Sequence, residues 1–102
     1  MDKRAAVRVP VRVRAQCKAH GLVIDGLVED VSRSGLFLRA TKSVGLGSSA
    51  EISIDLPGEA TVKLTAEVVR IDDDGMALRF VDGEPGRRPL ANFIMKQHAT
   101  VR

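Results

Sequence analysis

Tryptophan and tyrosine are absent from this chain, and Phe37, Phe80 and Phe93 are its only aromatic rings. Small β-barrels that bind single-stranded nucleic acid use aromatic side chains as stacking platforms. A nucleic-acid barrel would have little to stack on here, more so because these phenylalanines fall mostly at positions expected to face a core. Cysteine is as scarce. Cys17 stands alone and cannot close an internal disulfide, and one cysteine with two histidines leaves too few ligands for a structural zinc site. No apolar run approaches the ~20 residues of a membrane-spanning helix, and the first residues lack the apolar stretch of a signal peptide. These absences lead us to expect a cytoplasmic protein. The sequence also has no phosphate-cradling glycine loop and no nucleophile elbow, and nothing with metal-ligand spacing surrounds His20 or His98. An enzyme is not expected.

What is present fits one soluble domain of 102 residues, with 28% charged and 44% hydrophobic residues. The net charge of +3 is modest, but its distribution is uneven. Lys3, Arg4, Arg8, Arg12, Arg14 and Lys18 crowd the first segment against Asp2 alone, while Asp72, Asp73 and Asp74 lie far away. A basic arm of this kind suits an anionic partner, although a solvated basic strand face has the same composition.

Residues 1–9 carry no sustained hydrophobic period and read as a mobile arm. From Val11 the sequence alternates: Val11, Val13, Ala15 and Cys17 on one face, Arg12, Arg14, Gln16 and Lys18 on the other. That is the signature of a half-buried strand, with Cys17 as an inert core residue. His20-Gly21 makes a turn. Leu22 to Val28 reads as a strand with a bulge or bend at Asp25-Gly26, Leu36 to Ala40 as its return, and Thr41 to Ser49 as a loop. Ile52, Ile54 and Leu56 alternate clearly, as do Val62, Leu64, Ala66 and Val68, and then Met76, Leu78 and Phe80. Pro57-Gly58-Glu59 and the aspartate run ending at Gly75 supply the turns between them. Beyond Gly83 the period becomes helical, with Leu90, Phe93 and Ile94 on one side and Pro89 in the first turn. Short strands at this spacing suggest a sandwich or a barrel.

The most particular stretch is Asp30-Val31-Ser32-Arg33-Ser34-Gly35. On an extended segment Asp30 and Ser32 point to one side, and Gly35 permits close approach of backbone or ligand. Alone, the stretch is an ordinary turn in which Asp and Ser bond their own backbone. Upstream of it, however, stands the pair Arg4-x-x-x-Arg8. An arginine pair followed by Asp30-x-Ser32-x-x-Gly35, at this separation and in a chain of this size, resembles the signature of the PilZ domain, a family of receptors for the bacterial second messenger cyclic di-GMP.

The resemblance implies an all-β fold, a six-stranded antiparallel barrel of split or Greek-key type with a C-terminal helix. It implies one PilZ-like domain over 1–102, with a ligand-closing arm at 1–9, the barrel at 11–82 and the helix at 88–99. It also implies a ligand site made of Lys3, Arg4, Arg8, Asp30, Ser32 and Gly35, with no metal or resident cofactor. Arginine offers phosphate a paired fork, and it can bond the O6/N7 edge of guanine or stack on its face. The Asp30 carboxylate matches the guanine N1–H and exocyclic amine, and Ser32 adds a weaker bond. Gly35 keeps the turn open. In the family a long basic residue at the position of Lys3 accompanies two intercalated ligand molecules. Ala77 departs from a position where the family commonly has glycine, a change expected to touch packing more than binding. The partners implied are cyclic di-GMP and an unidentified downstream protein. The alternatives are a PilZ-type adaptor that binds no ligand, and the disfavoured nucleic-acid barrel.

Overall fold

Alternation in the first strand sets the inside and outside of the molecule. In the computed structural model, which describes residues 9–58, 61–81 and 87–100, β1 spans Val9–Ala19. Val13, Ala15, Cys17 and Ala19 are buried, while Arg12, Arg14, Gln16 and Lys18 are exposed. The strand begins at Val9, so the last residue of the expected arm belongs to the sheet. A two-residue turn, His20 (φ 53°) and Gly21 (φ 77°), leads into β2, Leu22–Val31. Positive φ at both positions matches the twist of a tight hairpin, and glycine adopts it without steric cost.

β3 (Gly35–Arg39), β4 (Ser49–Ile54), β5 (Val62–Asp72) and β6 (Gly75–Phe80) complete a closed antiparallel barrel in the order β1-β2-β3-β6-β5-β4. The sandwich alternative is thereby excluded. Closure through β1 and β4, in register from Ala15↔Ile54 to Lys18↔Glu51, removes the free edges of an open sheet. The link from β3 to β4 joins strands that are not neighbours, and Val44 anchors it in the core. The aspartate run forms the tip of the β5–β6 hairpin. The Asp72 carboxylate there accepts hydrogen bonds from the amides of Asp74 (3.0 Å) and Gly75 (3.2 Å).

Inward residues from all six strands make one core. Helix α1, Arg87–Thr100, packs against β1 and β5 and adds Leu90, Phe93 and Ile94 to it. These fall at helical spacing and form the apolar stripe anticipated.

One expectation needs correction. Gly26 is not a bend: β2 runs through it in register with Ala15. Its role is close approach, since a β-carbon there would lie 2.5 Å from the Arg39 carbonyl oxygen. The irregularities occur elsewhere. Each gives one strand one residue more than its partner: Val11 and Arg12 of β1 lie opposite Glu29 of β2, while towards the other neighbour Glu29 of β2 has no counterpart on β3, and Val69 of β5 has none on β6.

Candidate functional site

The bulge at Glu29 decides where Asp30 points. Ile24 and Val28 face the core, and strict alternation from them would turn residue 30 inward as well. One extra residue reverses the phase. Asp30 becomes half-buried on the outer wall, and Val31 takes the core position. Val69 does the same on β5: Val68 is buried, and Arg70, which strict alternation would also bury, is exposed outside.

The register then sets Asp30, Phe37, Ala77 and Arg70 side by side across β2, β3, β6 and β5. These residues line a groove of about 460 Å³, bounded below by Ser34, Gly35 and Arg79. A second depression of about 600 Å³ lies on the other side of Asp30, lined by Val11, Arg12, Leu27, Glu29 and Arg39. Asp30 thus stands between two adjacent hollows. Arg39 pairs with Glu29 (2.5 Å), which holds its guanidinium above its ordinary pKa, first through that hydrogen bond and then through the nearby charges of Glu29 and Asp74. Arg79 pairs with Glu67 at 2.6 Å. Exposed pairs like these add little stability, but they fix where the guanidinium groups stand.

The Asp-x-Ser-x-x-Gly stretch is more closely engaged with itself than its sequence suggests. β2 ends at Val31, so the alternation that would put Ser32 beside Asp30 stops there. Ser32 is 0% exposed. Its amide donates to the Gly35 carbonyl at 2.8 Å, and its hydroxyl lies 3.4 Å from the same oxygen. That hydroxyl also accepts from the Ser34 amide and meets the Ser34 hydroxyl, both at 3.2 Å. In this arrangement Ser32 builds the turn, and its hydroxyl is not offered outward with the Asp30 carboxylate. Gly35 likewise does not keep a turn open. It is the first residue of β3, paired with Arg79, and a β-carbon there would lie 2.2 Å from the Leu78 carbonyl oxygen.

Lys3, Arg4 and Arg8 lie outside the described residues. The chain that carries them enters the barrel at the site, because Pro10 is the register partner of Asp30.

Sequence reasoning missed several residues on this wall. Phe37 was grouped with core-facing aromatics, yet it stands apart from the core cluster that holds its neighbours Leu36 and Leu38. Two inward leucines flanking it were the available signal. Arg70 carried a subtler one, a charge where the alternation of β5 called for an apolar residue. Ala77, thought to bear on packing, lies in the floor of the groove.

Among the described residues no cluster of His, Cys, Asp or Glu could hold a metal ion, and no helix is long and apolar enough to cross a membrane.

The sequence matches the family model of the PilZ domain over residues 2–96. The chain belongs to the PilZ domain family. This PilZ domain resembles the Bacillus subtilis inhibitor of motility MotI/DgrA with a TM-score of 0.83 at 19% identity, over 100% of this chain and 54% of that one. It therefore spans about half the length of that protein. It resembles the PilZ domain of YcgR from Escherichia coli, solved with cyclic di-GMP, with a TM-score of 0.82 at 14% identity, covering 99% of this chain and 95% of that one. The PilZ domain of CeSA from a cellulose-synthesizing bacterium gives 0.71 at 15%, over 94% and 99% of the two chains. At such identities the likeness is one of fold. No curated protein sequence matches the chain.

Proposed function

We propose that this PilZ domain is a cytoplasmic receptor for cyclic di-GMP, bound on the outer wall around Asp30 and closed over by the arginine-bearing segment before β1. The observation that carries the reading is the pairing of Pro10 with Asp30. Arg8 is joined to Pro10 through Val9, so at ~3.3–3.6 Å per residue its Cα stays within about 7 Å of the Cα of Pro10. Arg4, six residues before Pro10, stays within about 22 Å of it by the same measure. The pairing supports the reading because it leaves both halves of the signature, distant in sequence, within reach of one place on the barrel.

In this reading Arg4 and Arg8 take the phosphates and a guanine, where paired N–H donors suit both. Asp30 accepts from the N1–H and amino group of a guanine. Ser32 and Gly35 act by fixing the turn that follows Asp30. Lys3 adds a charge that offsets the repulsion between the phosphates of two stacked ligand molecules, so two molecules bind per chain. Ordering of the arm over the ligand is the output. A downstream protein reads that change, so receptor and adaptor roles coexist.

Calorimetry with cyclic di-GMP, with GMP and cyclic di-AMP as controls, tests the reading. A hydrogen bond to a charged group is worth ~1.5–3 kcal/mol, so Arg4→Ala and Arg8→Ala each weaken binding about ten- to a hundredfold. Saturation falls at two ligands per chain, and Lys3→Leu reduces it to one. Unchanged affinity in both arginine variants overturns the assignment of the pair.

A further inference from the structure

The row Asp30, Phe37, Ala77 and Arg70 has a feature that the signature residues do not explain. Phe37 points away from the core, yet it is only 7% exposed. Arg70 lies over it, with the guanidinium carbon 5.8 Å from the ring centroid. To reach that ring from β5 the arginine must cross β6, and its path passes Ala77, the register partner of both. A methyl group there leaves the way open, where a longer side chain would block it. Asp72 steadies the guanidinium at 3.6 Å, and the arginine side chain remains 64% exposed.

Arg70 is therefore a cation placed over an aromatic ring, paired with a carboxylate and largely open to solvent. A guanidinium plane presented in this way stacks well on a nucleobase, because it is flat, delocalised and weakly hydrated. Neighbouring strands lie about 4.8 Å apart. A group over Phe37 is thus about one strand spacing from Asp30, the register partner of Phe37 on the other side. That separation lets one purine lie on the guanidinium and still turn its hydrogen-bonding edge to the Asp30 carboxylate.

We propose that Arg70 is a stacking platform for a guanine of the ligand, that Phe37 positions it, and that Asp30 takes the edge of the same base. The inference rests on the cyclic di-GMP reading and extends it to β5, which lies beyond β3 and β6 from Asp30. Arg70 stands on β5, a strand that is already in place before any ligand arrives. Ala77 belongs to the device as the low point that the arginine crosses.

Calorimetric titration of wild type, Arg70→Ala, Arg70→Lys and Phe37→Leu with cyclic di-GMP tests this, with thermal unfolding of each variant run alongside. Loss of one base–side-chain stack weakens binding roughly five- to a hundredfold. Arg70→Ala shows that loss with little change in melting temperature, since the side chain is largely exposed. Arg70→Lys keeps the charge but not the plane, so it falls close to the alanine variant. Phe37→Leu, which keeps apolar bulk but removes the ring, loses affinity through the same arginine, and combining it with Arg70→Ala adds little further loss. Wild-type affinity in Arg70→Ala overturns the platform, and wild-type affinity in Arg70→Lys shows that charge alone was used. Either result leaves the receptor reading standing, whereas failure of the wild-type chain to bind removes both.

Discussion

Gly35 lies against the backbone of Leu78 so closely that a β-carbon at position 35 would stand 2.2 Å from the Leu78 carbonyl oxygen. The obstacle is backbone where the β3–β6 ladder begins, and a main-chain carbonyl cannot turn aside as a flexible side chain could. Gly35→Ala forces the strands apart and lowers stability by ~1–3 kcal/mol or more. Gly45→Ala is the control, because its β-carbon would only touch the Ser48 hydroxyl at 3.5 Å. Urea denaturation checks both: a large fall in midpoint for the first, little change for the second. Equal midpoints would contradict the close-approach account.

Ser32 gives a second test of the same turn. Its buried hydroxyl serves Ser34 and Gly35, so Ser32→Ala removes those bonds and leaves the Ser34 amide to find another partner. The expected cost is ~1–2 kcal/mol of stability, with a smaller effect on ligand affinity than changes at Asp30. A variant that keeps full stability while losing ligand would return Ser32 to direct contact.

Much of this fold is legible in the sequence. The alternation of β1, β4, β5 and β6 and the helical spacing of Leu90, Phe93 and Ile94 lead directly to the observed core. What could not be read were the bulges, because one inserted residue leaves no compositional mark and yet reverses every side chain after it. Asp30 was selected for its motif, but its outward orientation comes from Glu29. Arg70 was passed over because nothing local announces Val69 as an insertion. Gly26 looked like a bulge or bend within its strand, and Gly35 like part of a turn. Their reason lies in strands distant in sequence, where the Arg39 and Leu78 carbonyls leave no room for a side chain.

Cys17 is a buried thiol whose burial pushes its pKa above the ordinary 9.0. The folded state therefore favours the protonated thiol. Its contribution is fully present below the thiol's unfolded pKa and is lost as pH rises through the folded value. At neutral pH a thiol reagent should label Cys17 only after unfolding, and stability should fall in the alkaline range above about pH 9. Cys17→Ser, in which no thiolate can form, loses that alkaline component. Rapid labelling of the folded protein at pH 7 would contradict the burial.

Asp30→Asn keeps the shape of the side chain but exchanges an acceptor for a donor. Under the proposed site, affinity for cyclic di-GMP falls and the preference over cyclic di-AMP narrows, as competition calorimetry can measure. If Asp30 served only the turn, the variant would instead melt earlier with discrimination unchanged.

The central claim, that cyclic di-GMP binds on the outer wall between β2 and β5, is tested most directly by titrating the isotope-labelled chain and following its backbone amide resonances. The account predicts saturable shifts at Asp30, Phe37, Ala77, Arg70 and Arg79, with Gln16, Ser53 and Lys63 on the far side of the barrel nearly unmoved. No shifts at saturating ligand, or shifts confined to β1 and β4, would contradict it.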